Sequence, residues 1–115
     1  MRKTGLAWES AVETWLRSAG LRSLARNYFC RYGEIDLIMR DGDCVVFIES
    51  RYRKTGDGVA SVGASKQMKL QRAASMYLQA NPSLANAACR FDVVGCRGTP
   101  DNPAFDWVRG AFEAY

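Results

Sequence analysis

Histidine is absent from this chain of 115 residues. A serine or cysteine hydrolase with an imidazole base, a His-ligated zinc enzyme and a histidine proton shuttle are thereby excluded together. Any catalysis must come from carboxylates, Lys, Arg, Tyr or a hard metal ion. Long apolar runs are missing too: nothing approaches the roughly 20 residues of a membrane helix. The N-terminal "MRKTGLAWESAVETWL" carries charges inside any candidate signal core. A soluble, cytoplasmic protein with no membrane partner is expected. The four cysteines, Cys30, Cys44, Cys89 and Cys96, form no C-x-x-C pair. That spacing suits zinc poorly, and in a reducing compartment they are expected as buried free thiols. Internal repeats, linkers and low-complexity tracts are also lacking, so residues 1–115 are expected to form one domain.

What is present is an ordinary globular composition, 48% hydrophobic and 24% charged, with 16 Lys and Arg against 12 Asp and Glu for a formal charge of +4. That excess suits a polyanionic partner only if a site accompanies it. Residues 4 to 19 show apolar positions at Ala7, Trp8, Ala11, Val12, Trp15, Leu16 and Ala19. This is helical spacing, with Thr4 as a candidate N-cap and Gly20 as a stop. A strand is expected to end near Gly33. Two more follow within "GEIDLIMRDGDCVVFIESR", residues 33 to 51, joined through Asp41, Gly42 and Asp43. Residues 51 to 65, with three glycines, read as a surface loop. A second helix is expected from Ser65 to Ala80, a strand over 89–98, and a last strand or short helix carrying Phe105, Trp107, Val108 and Phe112. The expected class is α/β with a mixed sheet in the order α-β-β-β-α-β plus a short C-terminal element.

Within the expected hairpin, Glu34, Asp36 and Glu49 stand where a strand normally buries hydrocarbon. Strict alternation puts Glu34, Asp36 and Ile38 on one face and Ile35, Leu37 and Met39 on the other. If Arg40 pairs with Val45, Asp36 falls opposite Glu49, with Cβ atoms about 5 Å apart. Like charges so placed repel, and a divalent cation offsets this, since Mg²⁺ takes one or two carboxylates plus water and phosphate. Two alternatives stand beside this reading. The acids could decorate a solvated face paired to Arg40, Arg51 or Arg53, and an unbulged three-residue loop would put Asp36 and Glu49 on opposite faces.

The segment "GEIDLIMRDGDCVVFIESRYR", taken with "SKQMKLQRAASMYL" and "CRFDVV", resembles the YraN family of uncharacterised bacterial proteins from Trp8 to Phe112. That family is similar to the PD-(D/E)xK nucleases, whose fold is shared by many restriction enzymes and by archaeal Holliday junction resolvases. The resemblance implies one restriction-endonuclease-like domain, a mixed central sheet flanked by helices. It implies Asp36 and Glu49 as metal-binding acids for Mg²⁺ or Mn²⁺, with Glu9 on the first helix as a further acid. Arg51 occupies the position of the motif's lysine, and Lys66 or Gln67 that of a polar helix residue. A guanidinium cannot serve as a base, though it can hold a phosphate through two hydrogen bonds.

Other residues carry plainer expectations. Glu13 is expected to pair with Arg17 along the helix, Asp92 with Arg90, and Tyr52, Trp8, Trp15, Tyr77 and Phe91 to pack in the core. Lys66, Lys69 and Arg72 recur at helical intervals, and Arg51, Arg53 and Lys54 lead into the loop, so these cations flank the acids as a phosphodiester would require. The first hypothesis is a metal-dependent nucleic-acid phosphodiesterase acting on DNA or RNA. In it Asp36, Glu49, Arg51 and Lys66 carry the chemistry, Glu34 and Gln67 support it, and Arg51, Arg53, Lys54, Lys66 and Lys69 hold the substrate. The second is a nucleic-acid-binding module that does not cut, and the third a partner-binding scaffold with a relic site. A homodimer is expected if both strands of a duplex or junction are cut.

Overall fold

A computed structural model describes residues 3–52 and 62–113, with side chains from Leu6 onward. The elements run α1 (Lys3–Ser18), β1 (Arg22–Cys30), β2 (Gly33–Asp41), β3 (Cys44–Tyr52), α2 (Ala64–Ala80), a short 3₁₀ turn (Pro82–Leu84), β4 (Ala88–Thr99) and β5 (Asn102–Phe112). The expected order is thus found, and the C-terminal element is a strand. Among the described residues no helix is long and apolar enough to cross a membrane.

The five strands lie side by side in chain order. Neighbours are antiparallel except β3 and β4, which are parallel. A parallel pair requires a crossover, and the chain from β3 to β4 supplies one in α2. Each helix covers one face. Trp8, Val12 and Leu16 of α1 pack with Leu37, Met39, Val46, Ile48, Val94 and Cys96. Leu70, Ala73, Ala74 and Tyr77 of α2 pack with Ile38, Val45, Phe47, Phe91 and Val93 on the other face.

Helix α1 starts one residue ahead of Thr4, so Thr4 lies inside it rather than capping it. Its C-terminus closes as the sequence implies. Gly20 (φ +104°) reverses the chain, its N–H bonds the carbonyl of Arg17 at 3.0 Å, and the N–H of Leu21 bonds that of Leu16 at 3.1 Å. These two bonds satisfy carbonyls the helix leaves open, in the pattern that αL glycine permits.

The β2–β3 hairpin has the expected register, Arg40 opposite Val45 and Asp41 opposite Cys44 around a two-residue loop. The expected strict alternation along β2 does not hold. Leu37 and Met39 pack under α1, but Ile35 packs with Ile38 under α2. The facing reverses at Asp36, opposite a stretch of β1 where Asn27 takes φ +54°, a region few residues other than glycine, Asn and Asp visit. The β2–β3 ladder stops at the Leu37–Ile48 pair. The strands therefore come apart just where the acids begin.

Other corrections are local. Glu13 bonds Ser23 and Arg26 of β1, tying helix to sheet, and the Arg17 charge expected to pair with it adds a weaker attraction. Tyr52 is 49% exposed, although its ring lies 5.3 Å from that of Trp8. Trp8, Tyr77 and Phe91 are buried and Trp15 is partly so. The cysteines are free; Cys96 is buried and the other three are half-buried.

Candidate active site

The fork between β2 and β3 forms the candidate site. Asp36 does not sit in a ladder pair with Glu49; its Oδ2 accepts the backbone N–H of Ser50 at 2.9 Å and the Ser50 hydroxyl at 3.1 Å. The carboxylate thus bridges β2 to β3 just past the end of their ladder. Because β3 alternates regularly, Glu49 points to the α2 face while Ser50 points to the α1 face. The ladder that would carry Asp36 opposite Glu49 ends one pair earlier, at Leu37 and Ile48, so the two acids do not form a regular cross-strand pair, though the charge of Asp36 still reaches Glu49. Asp36 leans toward Ser50, at the place where β2 changes face.

Glu49 still feels Asp36. Its side chain is only 11% exposed and meets Nζ of Lys66 at 3.5 Å. Burial, reinforced by the negative charge of Asp36, raises the Glu49 carboxyl from 4.5 to about 7, against the lowering pull of Lys66 and Arg51. Desolvation disfavours the charged carboxylate and a second carboxylate disfavours it further, so the proton is retained toward neutrality. Asp36 also adds to the rise of the Cys96 thiol, which burial chiefly drives up to about 12.

Lys66 comes from the first turn of α2, across the sheet face, and its own side chain is 48% exposed. Its Nζ therefore has one side on Glu49 and the other on solvent. Gln67 turns elsewhere: its Nε2 donates to the Val62 carbonyl at 2.7 Å, pinning the segment that enters α2. Lys69 and Arg72 are exposed along the same helix, and Glu34 lines a small crevice with Tyr32, Gly33, Lys66, Lys69 and Leu70. Arg51 lies two residues beyond Glu49 on the same face. Arg53 and Lys54 fall outside the described residues. Glu9 is buried on α1, 4% exposed, one residue from Trp8 and so near the end of β3 that Tyr52 marks.

Among the described residues no three Asp, Glu or Cys side chains gather at metal-ligand spacing. What the fork offers a cation is two carboxylates, Glu49 buried and Asp36 hydrogen-bonded to Ser50 through Oδ2. That donor set fits a hard ion of the Mg²⁺ type, which completes its shell with water and phosphate oxygens.

Sequence reasoning missed Ser50 as the residue that fixes Asp36. Its place between Glu49 and Arg51 was the available signal, but alternation assigned it to the opposite face. The pairing of Asp92 with Arg90 is present and is part of something larger. Asp92, 1% exposed, accepts hydrogen bonds from Arg90 Nε (3.0 Å), Trp107 Nε1 (2.9 Å) and the Gly110 N–H (3.0 Å). Arg90 in turn reaches Asp41 at 3.0 Å. This network fastens β5 to β4 across their register shift and stands apart from the fork.

Comparison with known proteins gives one consistent family. The model of an uncharacterised protein family, UPF0102, matches residues 8–96. A UPF0102 protein of Chromohalobacter salexigens is 49% identical over 99% of this chain and 94% of its own length. One of Xanthomonas euvesicatoria is 47% identical over 98% and 93%, and one of Stutzerimonas stutzeri 43% identical over 98% and 97%. Among solved structures, SfsA of Pyrococcus furiosus in complex with Ca²⁺ superposes with a TM-score of 0.37 at 15% identity, covering 97% of this chain but under two thirds, 64%, of SfsA.

Proposed function

This chain belongs to the uncharacterised protein family UPF0102, the family of the YraN proteins, and we propose that it is a metal-dependent nucleic-acid phosphodiesterase centred on Asp36 and Glu49. One observation carries the reading: a buried glutamate and a hydrogen-bonded aspartate flank the opening of two strands, with a half-exposed ammonium 3.5 Å from the glutamate. Such a cluster is unfavourable by itself, because the acids oppose each other's charge. Asp36 and Glu49 would hold a divalent ion, whose chemistry would be to supply the missing positive charge and to ease deprotonation of the attacking water.

The chain's own residues have separable roles. Asp36 and Glu49 hold the ion, Asp36 preset by Ser50. Arg51, which cannot give up its proton, binds a non-bridging phosphate oxygen and stabilises the charge that grows there. Lys66, half-exposed beside Glu49, would contact the phosphate and orient the attacking water. In the reaction, water adds its oxygen to phosphorus and gives up a proton, the bond from phosphorus to the leaving oxygen breaks, and that oxygen takes up the proton by way of solvent. Glu9 supports the cluster from α1, and Lys69 extends the phosphate contact along α2. Two such sites in a homodimer would serve a substrate cut in both strands, and light scattering with and without DNA tests that arrangement.

Arg51 in place of a lysine favours a second reading, a module that grips nucleic acid without cutting it. One experiment separates the two. Branched, single-stranded and duplex DNA and RNA are incubated with the protein in Mg²⁺ and in Mn²⁺, beside Asp36→Ala and Glu49→Ala. Cleavage by the natural chain alone is expected. Binding without cleavage under every condition supports the module, and cleavage retained by both variants refutes the site.

A further inference from the structure

Beyond Lys66 the cations of α2 continue away from the fork, on the sheet face that carries Glu49. Lys69 lines a small crevice with Lys66, Tyr32 and Glu34, so the helix meets the turn between β1 and β2 there. Tyr32, in that turn, packs against the α2-side core. Its ring gathers two more charges. The guanidinium of Arg31 lies 5.0 Å from the ring centre and donates to the Tyr32 hydroxyl at 3.2 Å, and that of Arg72 lies 5.8 Å from the same centre. Arg31, Lys69 and Arg72 are exposed. Among the described residues none of the three is paired with a carboxylate. Phe29, 77% exposed, projects from the opposite face and lies off this path.

Guanidiniums gathered on one ring repel each other, and the attraction of each cation for the π face holds them there. The result is a concentrated positive potential with no internal acid to cancel it. What it fits is a chain of negative charges at regular spacing. From Lys66 to Arg72 the helix rises about 9 Å at roughly 1.5 Å per residue, which matches two to three phosphates at about 3.4 Å each along one strand. The inner end of this row meets Glu49 at 3.5 Å, so a backbone laid along it leads into the fork. We propose that the β1–β2 turn is a backbone clamp for nucleic acid. Arg31 and Arg72, held by Tyr32, grip phosphates about three nucleotides from the one at the fork, and Lys69 engages those between. Guanidinium suits this task, since it can hold a phosphate through two hydrogen bonds. Contacts of this kind set register without reading base identity. The clamp rests on the phosphodiesterase reading for what lies at the fork, and it adds a requirement: the strand must extend from the scissile bond toward this turn.

The test measures binding rather than cleavage. The full chain is titrated in EDTA against labelled oligo(dT), oligo(rU) and a blunt DNA duplex at several salt concentrations, with fluorescence anisotropy as the readout. Arg31→Ala and Arg72→Ala should each lower the slope of log affinity against log salt by about 0.9 on duplex and about 0.7 on single strands, a loss of roughly 5- to 8-fold at about 0.1 M salt. Tyr32→Leu keeps every charge, yet it should weaken binding about 2- to 5-fold for each guanidinium it releases. Tyr32→Phe, which retains the ring, should recover that loss. Arg22→Ala is the control: it removes the same charge at the far end of β1, about 26 Å away at roughly 3.3 Å per residue, and should leave the slope unchanged. The three nucleic acids report which backbone is preferred. Unchanged slopes in both Arg31→Ala and Arg72→Ala overturn the clamp, as does an equal loss in Arg22→Ala, absence of binding by the natural chain, or displacement by polyglutamate as complete as by DNA of equal charge. Because metal is absent, a fork that proves inactive leaves the expected slopes, and with them the clamp, in place. Unchanged slopes found beside cleavage that Asp36→Ala abolishes would refute the clamp alone.

Discussion

Replacing Glu49 by Gln isolates the strain that the fork places on one carboxyl. In the folded chain Glu49 titrates at about 7 instead of 4.5, because burial and Asp36 disfavour its charge more than Lys66 and Arg51 favour it. The folded state therefore binds more protons than the unfolded state between these two values, and stability must fall as pH rises from about 4.5 to about 7. At about 1.36 kcal/mol per pH unit, the loss is on the order of 3 kcal/mol, complete above pH 7. Glu49→Gln removes the charge while keeping an acceptor for Lys66. Its denaturation midpoint should match that of the natural chain at pH 4.5 and exceed it at pH 8. The relevant assay is urea unfolding followed by tryptophan fluorescence at both pH values. Saturating Mg²⁺ at pH 8 should close the gap, since a ligand present at about 100 times its Kd adds about 2.7 kcal/mol, and it should do nothing for the Gln variant. Identical pH profiles for the two proteins would refute the electrostatic account of the fork. A Mg²⁺ effect of equal size in both would refute its link to metal.

Three further outcomes follow from separate parts of the molecule. Arg51→Lys returns an ionisable amine to the metal-site rim, and if Arg51 limits proton transfer the cleavage rate at pH 8 to 9 should rise while phosphate-dependent substrate affinity falls, both read from single-turnover kinetics. Asp92→Ala strips three donors of their common acceptor and leaves the Arg90 charge half-buried. A loss of about 3 kcal/mol is expected in urea titrations, with a value near zero counting against the network. A Cβ on Gly98, at φ +83°, would lie 2.7 Å from the Asn102 carbonyl oxygen at the β4–β5 turn. Gly98→Ala should therefore cost about 2 kcal/mol or more, while Asn102→Ala should not rescue it, the obstructing atom being backbone.

Much of this architecture was legible because its signals are local. The spacing of Trp8, Val12 and Leu16 and the stop at Gly20 define α1 from residues within a few positions of one another. The two-residue loop at Gly42 and Asp43 sets the hairpin register, and the complete lack of histidine narrows the chemistry without any coordinates. The reversal at Asp36 was not legible. A period of two gives no warning of a break, and this break depends on Asn27 in a neighbouring strand and on Ser50 in another.

The sequence alone determined that two acids, an arginine and a basic helix would be close in the chain or along a face, since alternation and helical pitch act over a few residues. Only the tertiary structure decided that Lys66 reaches Glu49 across a crossover, that Asp92 holds β5, and that Phe29 stands outside the core. Each of these depends on which face a helix covers and where a ladder ends, and those are set by packing between segments far apart in sequence.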